Sequence, residues 1–187
     1  MPVFRKMLPS EMYLYEEHLL RLSRADRYAR FAGTVSDDVI KQHCRNLDWR
    51  RTIAVGGFVQ GDLRGAVVLC TDRLLWPDQA ELAVSVEGGL QGQRVGTTLV
   101  RRALTIARNR SIHTVHMLVQ AENMRMRALS NRFGGRMRLE EGEISVTFEL
   151  PPPNQFSLGL EALEDGAGAV SAVLDRIQAA IPDRAAA

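Results

Sequence analysis

Nine residues, Gly88-Gly89-Leu90-Gln91-Gly92-Gln93-Arg94-Val95-Gly96, hold four glycines and run into an apolar repeat at Val95, Leu99, Ala103, Ile106 and Ala107. That repeat has helical spacing, and the segment ending Val84-Ser85-Val86, after a turn at Trp76-Pro77-Asp78, reads as a strand before the loop. A strand, a glycine loop and a helix start form an anion-binding arrangement, because the first helical turn leaves backbone N–H groups unpaired. No lysine follows Gly96, which excludes the triphosphate loop; the glycine spacing fails the dinucleotide fingerprint, and no Gly-x-Ser-x-Gly elbow occurs. Residues 88–138 carry ten arginines against the single acid Glu122, whereas residues 139–187 carry nine acids and two arginines. Arginine pairs bidentately with phosphate, so a phosphorylated small molecule is the expected ligand. Nucleic acid is disfavoured: Phe133 is the only aromatic residue in the basic segment, too few for base stacking.

These residues need a scaffold, and 187 residues give room for one ordinary domain and a tail. Hydrophobic residues at 45% and charged residues at 25% are the balance of a globular chain. Cys44 and Cys70 form neither a disulfide framework nor a metal-ligand pattern, so no metal is expected. No apolar run approaches a membrane span and the start Met1-Pro2-Val3-Phe4-Arg5-Lys6 is not a leader, so the expectation is a cytoplasmic protein with no membrane partner.

The pattern predicts a helix from Ser10 to about Arg24, with apolar positions at Tyr13, Leu14, Leu19, Leu20 and Leu22, and a second after Ser36-Asp37-Asp38. Thr52–Val59 and Leu63–Thr71 flank Gln60-Gly61-Asp62 as a hairpin, and Gln79–Val86 follows as a third strand. After the loop helix come a strand over His113–Val119, a helix opened by Asn123 and stopped by Gly134-Gly135, and a hairpin about Glu140-Glu141-Gly142. Residues 1–150 thus make the domain. Residues 151–187 are an extension in which Pro151-Pro152-Pro153 is a stiff hinge and Val170, Val173, Leu174, Ile177 and Ile181 line one face of a last helix. That stripe is expected to dock back on the domain or on a second copy, a homodimer. The four histidines, and Tyr28, Phe31, Trp49 and Trp76, are read as structural.

Gln91-Gly92-Gln93-Arg94-Val95-Gly96 resembles the acetyl-CoA loop of the GNAT N-acetyltransferases, Gln/Arg-x-x-Gly-x-Gly/Ala, with Arg94 at the first glycine. Asn123 opening a helix that ends Phe133-Gly134-Gly135 is similar to the family's second motif. Ser23–Phe31 resembles the Ser-x-x-x-Arg-Tyr-x-Arg-Phe stretch of the protein-lysine acetyltransferase group, which borders the acceptor site. The resemblance, covering residues 3–150, implies an α/β (α+β) fold: a mixed, mostly antiparallel sheet flanked by about four helices.

It further implies acetyl-CoA as co-substrate and a primary amine, a protein lysine or a small amine, as acceptor. The pyrophosphate would rest on the backbone N–H groups of residues 92–97 (Gly92, Gln93, Arg94, Val95, Gly96 and Thr97), with the side chains of Gln91, Gln93, Arg94 and Thr98 nearby. Val84, Ser85 and Val86 would border the pantetheine arm, with the Val84 N–H polarising the carbonyl and Asn123 bonding an amide. Glu81 would be the general base, and Ser130 stands where the family often places the tyrosine that protonates the thiolate. Arg94 is expected to carry strain if its site requires positive φ. Two other functions compete: a non-catalytic acyl-CoA-binding regulatory domain and a nucleic-acid-binding module.

Overall fold

Val3–Lys6 (β1), Thr52–Val59 (β2), Asp62–Thr71 (β3), Gln79–Val86 (β4), Thr114–Gln120 (β5), Arg136–Glu140 (β6) and Glu143–Glu149 (β7) form one seven-stranded sheet in the order β1-β2-β3-β4-β5-β7-β6. The structure is a computed structural model and describes residues 2–140 and 142–180. Every neighbouring pair is antiparallel except β4 and β5. That pair is parallel because the crossover between its strands is a helix, Val95–Asn109 (α4). Around the sheet stand Met12–Arg21 (α1), Arg24–Phe31 (α2), Asp37–Asn46 (α3), Met124–Arg132 (α5) and Gln155–Ala180 (α6). The expected class holds, with six helices rather than about four.

Alternation along the central strands divides the core. Val55, Val67, Leu69 and Leu82 face α4 and meet Leu99, Val100 and Ala103; Ala54, Phe58, Ala66 and Val68 face the other way and meet Tyr15 and Leu19 of α1 and Ile40 and Cys44 of α3. Leu99 is fully buried, so truncating it to alanine would cost about 2–5 kcal/mol. Helix α4 sits close to the sheet because Gly65 lacks a side chain: a Cβ there would stand 3.2 Å from Val95 Cγ1 and 3.3 Å from Leu99 Cδ1. The glycine therefore fixes how near the N-terminus of α4 comes to β3 and β4.

Three expectations change. Residues 3–6 are a strand, pairing Val3 with Phe58 and Lys6 with Val55. The first helix ends at Arg21, and Ser23 caps a separate α2 by accepting from the Asp26 N–H. Tyr13 is exposed, and the buried stripe of α1 is instead Tyr15, His18 and Leu19.

The extension folds back on its own domain, along β1 and α4. Its helix begins at Gln155, directly after the prolines, well before the predicted stripe. Acids hold it: Lys6 donates to Glu161 and Asp165, both at 2.6 Å; Asn109 and Arg110 reach Glu161 at 2.7 and 3.2 Å; Arg101 pairs with Glu164. Val170 and Val173 are exposed. The side chains of Leu174 and Ile177, and all of Ile181, lie outside the described residues.

Candidate active site

Strand β4 hydrogen-bonds on both sides only over its first half. Its ladder with β3 runs to Val86↔Gly65, whereas its ladder with β5 has three rungs, Gln79↔Thr114, Ala80↔Val115 and Glu81↔His116. Beyond Glu81 the strands part, because β5 stays registered with β7 as far as Gln120↔Glu143. Leu82–Val86 and Met117–Gln120 then line opposite walls of a cleft of about 1320 Å³, completed by α2, the glycine loop and α5.

The direction of the free backbone groups follows from two bonds. Asp72 N donates to the Gln79 carbonyl and Glu87 N to that of Arg64, so the odd-numbered residues of β4 bond to β3. Alternation turns the even-numbered N–H groups toward β5: that of Leu82 closes the last rung on the His116 carbonyl, and those of Val84 and Val86 face the gap. Glu81, Ala83 and Ser85 project to the α1–α3 side, register partners of Cys70, Val68 and Ala66. Among the described residues, no hydrogen bond or ion pair engages the exposed Glu81 carboxylate. Burial pushes the Cys70 thiol up; its hydrogen bond with Thr52 opposes that rise and the nearby Glu81 charge adds to it.

At the far end of the cleft the first turn of α4 presents its amides. Gly92, Arg94, Val95, Gly96 and Thr97 line the wall. Gly92 has φ +77° and Arg94, the residue before the helix, φ 63° and ψ 8°. Arg94 thus occupies a left-handed conformation that disfavours a Cβ. Three more residues expected near the phosphates have partners within the protein, and of these Gln91 lines the cleft. Thr98 already donates its N–H to the Arg94 carbonyl at 3.0 Å and lies outside the cleft lining. Gln93 is exposed and bonds the Gly89 carbonyl. Gln91 is a brace: its amide donates to Asp26 and to the Val86 carbonyl and accepts from Arg125, tying α2, β4 and α5 together.

On α5, Asn123 lines the cleft and its Oδ1 caps the helix by accepting from Met126 N at 3.1 Å. Ser130 is misplaced for acid catalysis. It is fully buried, its hydroxyl donates to the Met126 carbonyl at 2.8 Å, and it is absent from the cleft lining. The arginine-rich centre is also less free than its charge suggests, since Arg101, Arg102 and Arg110 face the acids of α6 and Arg136 pairs with Glu149.

One polar group the sequence reading left as structural lies behind the cleft wall, against Ser85. His18 of α1 is fully buried, with Nε2 2.9 Å from the Ser85 hydroxyl and Nδ1 3.2 Å from Glu87. Its helical spacing with Tyr15, Leu19 and Leu22, at i, i+3, i+4 and i+7, was a readable sign that it faces inward.

A split sheet with a carboxylate at the fork and helix amides at the far end leaves a cleft with room for an extended anionic ligand. The acetyltransferase (GNAT) family model matches residues 16–134, and the chain belongs to that family. Among solved structures it resembles the GNAT domain of PAT from S. lividans, at 19% identity and a TM-score of 0.67 over 79% of this chain and 89% of that one. It resembles the GNAT-family acetyltransferase of Streptococcus pneumoniae at 14% identity and a TM-score of 0.61, over 80% and 100% of the two chains. The paiA N-acetyltransferase of Thermoplasma acidophilum, solved with coenzyme A, matches at 17% and 0.59, over 80% and 99%. Among the described residues no helix is long and apolar enough to cross a membrane, and no group of three or more His, Cys, Asp or Glu could hold a metal ion.

Proposed function

We propose that this chain is an N-acetyltransferase that moves an acetyl group from acetyl-CoA to a primary amine by direct attack on the thioester. The observation that carries the reading is the parting of β4 and β5 immediately after Glu81, within a cleft that ends on the amides of α4. Those amides and the helix dipole suit the pyrophosphate, with Arg94 adding a cation. The pantetheine arm fits between the strands, where the even-numbered amides of β4 offer it donors. The Val84 N–H would polarise the thioester carbonyl. An arriving lysine-like amine has a pKa of about 10.4 and is protonated at neutral pH. Glu81, unpaired and at the fork, accepts one proton directly or through water. The nitrogen lone pair then forms the C–N bond and the C–S pair leaves as thiolate.

The removal of Ser130 from the cleft would favour a non-catalytic acyl-CoA-binding domain if no other group could serve the leaving sulfur. The pairing of the arginines with α6 weakens the nucleic-acid reading. Thermal unfolding with acetyl-CoA, DNA or RNA, followed by thiol release over a panel of amines and lysine peptides, separates the three. Stabilisation by acetyl-CoA without turnover on any amine would leave a binding domain; stabilisation by nucleic acid alone would discard both acyl-CoA readings.

A further inference from the structure

Ser85 lines the cleft at 8% exposure, and its hydroxyl is the near end of a polar chain that leads inward to His18 and Glu87. Glu87 also takes ion pairs from Arg21 and Arg64, which fix its carboxylate. A carboxylate at Nδ1 requires that nitrogen to carry the proton, so in neutral His18 Nε2 is the acceptor and Ser85 donates to it. The Ser85 oxygen then offers only lone pairs to the cleft. It sits one residue from the Val84 N–H, whereas Glu81 lies three residues away, roughly 10 Å along the strand.

We propose that Ser85 is a catalytic proton carrier in this cleft, backed by His18, and that it supplies the proton the departing thiolate needs. The proposal rests on the acetyl-transfer reading. When the neutral amine adds to the thioester carbonyl, its nitrogen becomes positively charged. Ser85 Oγ takes that proton as its own passes to His18 Nε2, and the imidazolium is held by Glu87. When the C–S bond breaks, the proton returns from His18 through Ser85 to the sulfur. The products are the amide and CoA thiol, and Ser85 and His18 end as they began. Glu81 handles only the earlier proton of the arriving ammonium, so the two carriers divide the work between ground state and intermediate.

The surroundings suit a neutral imidazole. Burial lowers the His18 pKa, the hydrogen bond and charge of Glu87 oppose that shift, and Arg21 and Arg30 reinforce it. The groups facing His18 are thus Arg21 on its own helix, Arg30 on α2, Ser85 on β4 and Glu87 after it, with Arg64 of β3 behind Glu87.

The first test needs no acceptor. Nitrogen-15 NMR of the imidazole should show neutral His18 protonated on Nδ1; a proton on Nε2 would make Ser85 the acceptor and overturn the proposal. The second uses the best amine of the panel. Ser85→Ala should lower kcat about 30-fold while acetyl-CoA stabilises it as fully as the wild type, and unchanged kcat overturns the proposal. In His18→Gly, added imidazoles of similar size should restore turnover in proportion to their pKa, whereas rescue indifferent to pKa would mean that the ring only fills space. Should the glycine variant not fold, His18→Gln, which keeps a polar amide but can neither take up nor release a proton, must show the same loss as Ser85→Ala, and wild-type turnover in it overturns the relay. A wild type inactive on every amine defeats the transfer reading itself and leaves the tautomer result to judge the chain from Glu87 to Ser85.

Discussion

Glu81 and His116 face each other on the last rung that β4 and β5 share. One residue further the strands have separated, so the carboxylate stands at the apex of the fork. It also borders a second depression of about 450 Å³, with Cys70, His116 and Ser145, on the side away from α4. An amine reaching the fork from that side would meet Glu81 before it met the cofactor.

Replacing Glu81 with Gln should lower turnover about 100-fold with little effect on acetyl-CoA binding, as for loss of a general base. The deficit should shrink toward high pH, where amines lose their proton unaided. Wild-type rates near neutral pH in a pH–rate series would reduce Glu81 to a surface residue.

Gly96→Asp should abolish acetyl-CoA binding without unfolding the chain. A Cβ at Gly96 makes only ordinary contacts, 3.7 Å from Val86 Cγ2 and 3.9 Å from Leu129 Cδ2, but a carboxylate there opposes the phosphates. Wild type at a hundred times its Kd gains about 2.7 kcal/mol from ligand, and the variant should gain none in a thermal shift experiment.

Arg94 carries both a strained backbone and a cation, and two substitutions part them. Arg94→Gly should be more stable than Arg94→Ala by about 1 kcal/mol in urea unfolding, because only glycine relaxes at φ 63°. Both should bind acetyl-CoA more weakly and with less salt dependence than wild type. Equal stability of the two variants would mean the loop readjusts.

Removing residues 154–187 should lower the melting temperature, because it strips the acids from Lys6, Arg101, Arg102 and Arg110. Acid should do part of the same. Burial raises the Glu161 pKa, but hydrogen bonds from Lys6 and Asn109 and the charge of Arg110 outweigh it and hold the carboxyl below its usual value. A depressed folded pKa contributes stability above the unfolded value of about 4.3, lost as pH falls through the folded one. Glu161→Gln should flatten that acid limb in melting curves measured from pH 6 to pH 3; an unaltered limb would show that Glu161 does not anchor α6.

The elements that position the site were legible where a single rule governs them: the β2–β3 hairpin from its turn, β4 from the turn at Trp76-Pro77-Asp78 before it, and α4 from its repeat after the glycine loop. What escaped depends on partners distant in sequence. β1 has only four residues and exists because β2 offers it an edge. The acids of α6 could be counted but not paired, so the basic centre looked like a ligand site although part of it is a docking surface. Ser130 was placed by position in a motif, and only packing shows its hydroxyl turned onto its own helix. The bridge from His18 to Ser85 and Glu87 spans 67 and 69 residues, beyond the reach of any local pattern.

The parting of β4 and β5 also leaves two strand edges facing each other inside a sheet, a place where proteins rarely tolerate them. Such edges invite any extended chain that carries its own amides, including a strand from another molecule. A ligand lying between them therefore acts as a missing strand, and its occupancy should govern exchange of the Val84 and Val86 amide hydrogens and guard the protein against joining its neighbours.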